Sequence, residues 1–481
     1  MADRVDLVII GGGTAGIIAA KTAAGLGADV VLVERHRTGG DCLWTGCVPS
    51  KALIAAAKKV RATRTANRFV TTMVAPDVDF TAVMAYVHQA IERIEPVDSP
   101  QALRDAGADV ILGDAVFTGP DEVQVGTQRL RFRHALIATG SSPALPPVPG
   151  LPDIEPLTSD TVWELTRLPR RLVVLGGGPI GCELAQAFAR LGSEVTIIET
   201  LDRLIPREEP AASAVLTARL REEGVRVLTG TTVIKASGAP PEVELETTGT
   251  DGTVTLTADQ MLVATGRRPR TDDLGLTAAG VDLDAHGYVN VDTALRTSNP
   301  AIYAGGDVTG GPAFTHVAGI HGSIAASNAV LGPFRRTKHD TMPWVTFTDP
   351  EIAHVGLTEA QARQRHGDTV RVRVHHHSHV DRAITDEDTD GFTHVVLDGK
   401  GRILGGTIVA PRAGEMLAEL SAVLAKGGRL RDIGPVVHAY PTWADSVWNA
   451  ALDELSATLA TPAIRRATEV LRRARKTIAR R

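Results

Sequence analysis

The sequence predicts an α/β fold in three parts: two Rossmann-like domains, the second inserted in the first, and a separate α+β domain. Three observations carry this expectation. An apolar run, a Gly-x-Gly-x-x-Gly turn, an alanine-rich helical stretch and a second apolar run closed by an acid occur twice. A proline-rich crossing at 143–152 separates the copies, and short strand patterns follow residue 340. The chain has 481 residues, enough for about three domains of ordinary size.

The first copy runs from Val5 to Glu34 with Gly11, Gly13 and Gly16 at its turn. The second runs from Arg171 to Glu199 with Gly176, Gly178 and Gly181. In both, the acid follows the first glycine by 23 positions. A glycine triad between a strand pattern and a helix pattern, with an acid ending the next strand, is the full context of a dinucleotide site. The first glycine makes the turn, the second lets backbone approach a pyrophosphate, and the third lets helix and sheet pack closely. Glu34 and Glu199 would accept from ribose hydroxyls. The chain is therefore expected to hold two dinucleotides.

The interruption and resumption give the boundaries. Residues 1–145 open the first dinucleotide domain, 146–271 form the insertion and 272–340 resume the first. Residues 341–460 form the α+β domain, and 461–481 a basic tail. Strand endings at Ala138-Thr139-Gly140 and Ala264-Thr265-Gly266 mark the two crossings. Strands are expected at Val370–Val374, Thr393–Leu397 and Ile403–Val409, with a helix near 413–427.

Composition excludes several classes. Hydrophobic residues are 43% and charged residues 22%, ordinary for a globular enzyme and too apolar for a disordered chain. Net charge is −5 and aromatics are 4%, which argues against a nucleic-acid partner. Three cysteines are too few for a secreted disulfide framework. The N-terminal apolar run is too short for a signal peptide or a membrane span, so a cytoplasmic location without an integral membrane segment is expected.

Two of those cysteines lie in Gly39-Gly40-Asp41-Cys42-Leu43-Trp44-Thr45-Gly46-Cys47-Val48-Pro49-Ser50-Lys51. With four residues between them, Cys42 and Cys47 can meet across one helical turn and close a small, reducible ring. No further Cys or His lies nearby to complete a zinc site. Two buried small hydrophobes would be the plain alternative, but flanking glycines and Lys51 favour close approach to a ligand.

With these residues in place, the chain resembles the FAD-dependent pyridine nucleotide–disulfide oxidoreductases, a family that includes dihydrolipoamide dehydrogenase, glutathione reductase and mercuric reductase. The resemblance covers residue 4 to about 455. Gly39–Lys51 is similar to the family's redox-disulfide motif, and Tyr303-Ala304-Gly305-Gly306-Asp307 to its second flavin motif. Val345–Thr358 is similar to the opening of its dimerisation domain.

The resemblance implies a homodimer with shared active sites, and FAD at Gly11, Gly13, Gly16, Glu34, Gly40, Thr139, Gly140, Gly306 and Asp307. NAD(P)H would bind at Gly176, Gly178, Gly181, Glu199 and Gly266. Cys47 would face the flavin and Cys42 would attack a small-molecule acceptor, with Lys51 and Glu183 as an ion pair beside the flavin. A carboxylate at Glu199 repels a 2′-phosphate, so NADH is expected over NADPH, although Arg203 is close enough in sequence to soften this. Cys182 is expected to be a packing residue.

The sequence departs from the family near its end. Where dihydrolipoamide dehydrogenases and glutathione reductases carry His-Pro-Thr-x-x-Glu, it reads Tyr440-Pro441-Thr442-Trp443-Ala444-Asp445. Tyr440 replaces the acid–base histidine and Asp445 its orienting glutamate. A phenol is a poor base at neutral pH. In an extended segment His438 and Tyr440 share a face, which makes His438 the candidate replacement. The departure weighs against lipoamide and glutathione and leaves a disulfide or a soft metal ion as acceptor. The rival readings are a flavin-direct quinone reductase that bypasses the cysteines and a redox sensor retaining FAD.

Three features stand outside this scheme. His375, His377 and His379 would line one face of a strand, and an exposed polar strand is expected there rather than a metal site. His316 and His321, beside the second flavin motif, are expected to pack or hydrogen-bond. The tail carries eight Lys or Arg, with Ile464, Ala467, Leu471, Ala474 and Ile478 at helical spacing. A solvated helix or a disordered end is expected there, the alternative being an anionic membrane surface or an acidic partner.

Overall fold

The computed structural model describes residues 4–69, 71, 77–249 and 252–478. Met1–Asp3, Arg480 and Arg481 therefore lie outside the described residues, as does the side chain of Ile478. Two compact units result. One combines the chain through Leu204 with Leu220–His339, and the other combines Ile205–Arg219 with the chain from Asp340 onward.

The first unit holds both dinucleotide-type sheets. Strand Val5–Ile10 lies at the centre of a seven-stranded sheet, parallel to Val30–Glu34 on one side and Gln128–Ile137 on the other. Asp109–Leu112 and Ile302–Ala304 extend the parallel part. From Leu7 to Ile10 the central strand is buried throughout, which is why it reads as a continuous apolar run rather than an alternation. The second sheet repeats the pattern in parallel strands, with Arg171–Leu175 between Glu194–Ile198 and Gln260–Val263. The insertion is direct: the crossing strands Ser141–Pro143 and Arg267–Pro269 pair antiparallel where the chain leaves and returns.

Alanine-rich helices serve close packing. Thr14–Gly25 is covered on both sides, by the sheet and by helix Thr315–Leu331, so small residues surround much of it. At Gly322 an added Cβ would stand 2.1 Å from the Ala15 carbonyl oxygen, so these backbones meet with no room for a side chain.

The second unit is an antiparallel sheet of five strands, ordered Pro343–Thr346, Glu351–Gly356, Ile403–Ala410, Phe392–Leu397 and Arg371–His376. Helices Ala413–Ala425 and Asp445–Leu459 pack on it around Leu417, Leu420, Val447 and Ala451. The expected strands and helix are present here within a few residues. Helix Pro462–Ile478 follows.

The histidine stretch corrects one expectation. Its strand ends at His376, and His377–His379 form a 3₁₀ turn, so the three alternate histidines share no strand face. His377 is fully buried, its N–H donating to the Gly391 carbonyl and its ring against Trp443. Burial lowers its pKa to about 3, so it packs as a neutral ring. Among the described residues no group of three Cys, His, Asp or Glu side chains could hold a metal ion. No described helix is long and apolar enough to cross a membrane.

The glycine turns give a stability test. In the second repeat a Cβ on Gly181 would sit 1.9 Å from the Gly176 carbonyl oxygen, whereas one on Gly178 meets nothing within 4 Å. Gly181→Ala should cost about 1–3 kcal/mol in thermal unfolding, and Gly178→Ala should leave the transition where it is. Equal stability for the two variants would contradict the crowding argument.

Candidate active site

Backbone geometry at the two turns assigns the three glycines distinct work. Gly11 and Gly176 have φ of +107° and +111°, and a Cβ on either would strike the Ala138 or Ala264 carbonyl oxygen. Gly16, like Gly181, lies against the first glycine's carbonyl. Gly13 and Gly178 face open space, the nearest atom to a Cβ on Gly13 being the Gly40 Cα at 3.8 Å. That is the cradle a pyrophosphate needs at a helix N-terminus.

The acids are held alike in the two copies. Glu34 accepts from the N–H groups of Gly12 at 2.6 Å and His36 at 2.9 Å. Glu199 accepts from those of Gly177 at 2.6 Å and Leu201 at 2.8 Å. Each carboxylate is thus fixed at the end of its strand with lone pairs left for ribose hydroxyls.

The cysteine segment folds against the first cradle. Gly40, at φ +58°, lies so near Gly13 that a Cβ would stand 2.6 Å from its Cα. Cys42 sits in the short helix Gly40–Trp44 and Cys47 opens the long helix Cys47–Thr65, whose N-terminus favours a thiolate. Both are partly buried free thiols. The Cys42 thiol, donating to Cys47, is the main influence lowering the Cys47 pKa to about 6; burial opposes it, while the Thr315 hydroxyl and Lys51 assist. The same hydrogen bond, together with burial, pushes Cys42 far up. The pair is therefore polarised, with a thiolate on Cys47 and the shared proton on Cys42.

Lys51 donates to Glu183 at 2.8 Å, joining the long helix Cys47–Thr65 to the helix Pro179–Leu191 that follows the second glycine turn. Cys182, next along, is fully buried and donates to the Gly177 carbonyl, as expected of a packing residue. Thr139 donates to the Arg270 carbonyl at 2.7 Å, and Gly140 has φ +71°. Gly266, with nothing within 4 Å of a Cβ, lies between strand Gln260–Val263 and the crossing strand Arg267–Pro269. Asp307 accepts from Ser141 at 2.7 Å, and the Gly306 N–H donates to His321 Nδ1 at 3.2 Å. His321 is buried, lowered to about 4 by desolvation, and hydrogen-bonds His339 at 3.0 Å.

Several residues had no role in the sequence reading. Thr315 Oγ1 lies 3.1 Å from Cys47 Sγ across 268 positions of chain. Arg267 pairs with Asp41 and donates to Ser141 Oγ at 2.7 Å, so it ties the cysteine segment to the crossing strands and to Asp307. Arg267 directly follows the strand ending Ala264-Thr265-Gly266; Thr315 stands in the segment Phe314–Ala318, which resembles the family but carries no local sign of its contact with Cys47.

In the second unit, His438 lies against helix Ala413–Ala425. Its Nδ1 faces the Val436 carbonyl at 2.9 Å and its Nε2 the Glu419 carboxylate at 3.0 Å. Both partners are acceptors, so the ring can donate to both only in its protonated form. Desolvation lowers its pKa, but the Glu419 hydrogen bond, the carbonyl and the carboxylate charges outweigh it and the net direction is up. Asp445 accepts from the Thr442 N–H at 3.0 Å instead of bonding that ring, and Glu419 takes the orienting role. Tyr440 is 72% exposed and donates to Asp381, whose carboxylate raises the phenol's pKa and keeps it protonated.

Thr315→Val removes one hydrogen bond to a charged sulfur and should raise the Cys47 pKa by roughly one unit. The check is the pH midpoint of iodoacetamide alkylation in a Cys42→Ser background, where the serine hydroxyl still donates. An unmoved midpoint would remove Thr315 from the site.

Comparison with known proteins agrees with this geometry. The family described as pyridine nucleotide-disulphide oxidoreductase matches residues 5–322, and that family's dimerisation domain matches residues 342–451. A mercuric reductase of Streptomyces lividans is 38% identical over 453 residues, covering 93% of this chain and 95% of its own. A dihydrolipoyl dehydrogenase of Thermus scotoductus is 36% identical over 462 residues, covering 93% and 96%. Among solved structures, the Cu(II) complex of the HOCl-induced flavoprotein disulfide reductase RclA from Escherichia coli superposes with a TM-score of 0.83 at 28% identity, covering 94% of this chain and 99% of that one.

Proposed function

This chain belongs to the pyridine nucleotide–disulphide oxidoreductase family, and from that premise we propose that its acceptor is a thiophilic one, a soft metal ion foremost and a small disulfide second. The family is one of flavoprotein oxidoreductases that use FAD and NAD(P)H, and its dimerisation domain is present here. The first glycine turn, Glu34, Gly40, Thr139, Gly140, Gly306 and Asp307 would hold FAD, and the crowded, open and crowded positions of that turn fit it. When bound, FAD supplies the electron relay between nicotinamide and cysteines. Gly176, Gly178, Gly181, Glu199 and Gly266 would hold the nicotinamide nucleotide. A carboxylate held at both oxygens by backbone N–H groups favours NADH over NADPH there.

The observation that carries the acceptor is the state of His438. Reducing a disulfide releases a thiolate leaving group, which an imidazolium with an N–H free to donate protonates. With one ring nitrogen turned to the Val436 carbonyl and the other to the Glu419 carboxylate, His438 presents no free N–H to a departing thiolate. A soft metal ion needs no such proton: it displaces the Cys42 proton on binding sulfur, and two thiolates closing to one disulfide release two electrons, enough for one Hg(II) or for two Cu(II). Lys51, paired with Glu183, keeps positive charge near the Cys47 thiolate. Tyr440, exposed and protonated, would face the acceptor from the partner subunit of a homodimer with shared sites, and Asp445 would hold its segment. Glutathione disulfide and lipoamide, whose reduction calls for a proton donor to the departing thiolate, would be poor substrates. The reduced pair suits a cytoplasmic setting.

The mercuric reductase and the Cu(II)-bound reductase among its relatives support the metal reading. Steady-state NADH oxidation should be at least about tenfold faster with Hg(II) or Cu(II) than with lipoamide. Cys42→Ser should abolish it, and His438→Gln should leave it within a few-fold. Faster turnover of lipoamide, or full loss in His438→Gln with the fold intact, would defeat the proposal.

A further inference from the structure

The helix Pro462–Ile478 follows the residues matched by the dimerisation domain, and nothing in the proposed chemistry uses it. Its residues divide sharply by face. At 100° per residue, Ile464, Ala467, Val470, Leu471 and Ala474 fall within an arc of about 120°. Ala463 lies in the same arc. Arg465, Arg466, Arg472, Arg473 and Lys476 occupy the opposite side, and Arg475 borders the apolar arc.

The apolar arc is not covered by this chain. Val470 is 66% and Leu471 67% exposed, and from Arg465 to Lys476 every residue is exposed. The only element it meets appreciably among the described residues is the preceding helix, Asp445–Leu459. An apolar stripe this regular has no reason to persist in water unless something takes it up.

Charge identifies what that is. The helix carries six cations and one acid, Glu469, which bonds Arg473 at 2.5 Å. It is thus +5 on a chain whose total is −5, leaving −10 for the rest, so it forms a basic island on an acidic protein. A nucleic acid would neutralise the cations but leave the apolar arc in water. A second copy would cover the arc at the cost of bringing two +5 helices together. An anionic bilayer satisfies both faces: small and aliphatic side chains enter the acyl boundary while the guanidinium groups meet phosphate at the headgroup level. Arginines bordering the arc can extend toward the headgroups along their apolar stems. The helix is about 25 Å long and would lie flat in the interface.

We propose that helix Pro462–Ile478 is a peripheral anchor that binds anionic lipid bilayers through its apolar arc and cationic face together. The acceptor chemistry has no part in this inference. The test uses the full-length, FAD-loaded protein and sedimentation with sucrose-loaded vesicles. With equal parts phosphatidylglycerol and phosphatidylcholine the protein should pellet; with phosphatidylcholine alone it should stay in solution. Val470→Glu with Leu471→Glu, and separately Arg472→Gln with Arg473→Gln, should each lower the bound fraction about tenfold, while NADH oxidation in solution stays unchanged. No pelleting with anionic vesicles overturns the proposal. So does undiminished binding of the Val470/Leu471 variant, which would mean charge adsorption alone. Light scattering showing an assembly larger than a dimer, reduced to a dimer by that variant, would also overturn it by giving the face to a second copy.

Discussion

Close backbone approach after each first strand organises this molecule. At Gly16 and Gly181 the helix comes so near the turn that the third glycine's absent Cβ would overlap the first glycine's carbonyl oxygen at 1.9 Å. That approach turns the helix N-terminus toward open space at Gly13 and Gly178, and only there is room for a phosphate. The same economy of volume recurs outward. Gly40 nests against Gly13, which sets the cysteine segment on the first cradle, and Gly322 lets the helix that begins at Thr315 lie on the alanine-rich helix beneath. Because Thr315 opens that second helix, its hydroxyl arrives at Cys47.

Polarity within the cysteine pair follows from this placement. Cys47 receives hydrogen bonds from Cys42 and Thr315, the charge of Lys51 and the end of its own helix, all of which favour a thiolate. Cys42 is left with the proton and with more than one reason to keep it. The outer sulfur therefore needs either a base or an acceptor able to displace its proton. In the second unit the expected base is engaged: His438 is held between a carbonyl and a carboxylate, which move its pKa upward. These two facts together, rather than either alone, are the basis for proposing a thiophilic acceptor.

Much of this was legible in the sequence because it depends on spacing. The paired glycine turns with their terminal acids, the proline-rich crossing at 143–152 and the Cys42–Cys47 segment are local patterns in the chain. The Lys51–Glu183 pair, too, forms as the family resemblance implied. What stayed hidden depends on contacts between distant segments. Thr315 and Arg267 reach the site across more than 200 positions, with no local signature. The histidine stretch misled for a related reason: period-2 alternation describes a strand, and the strand stops at His376 because the chain turns inward to bury His377 against Trp443. Asp445 was read in the orienting role that belongs to Glu419, a residue on a neighbouring helix that no spacing rule from His438 reaches.

The central claim is that Cys42 and Cys47 stand in the electron path between NADH and the acceptor. The most direct measurement is an anaerobic NADH titration of the FAD-loaded protein with the visible spectrum followed to its end point. Uptake of about four electrons per subunit, with long-wavelength absorbance from a thiolate beside the flavin, is the predicted result. Uptake of about two electrons with simple bleaching would contradict it and place the cysteines outside turnover.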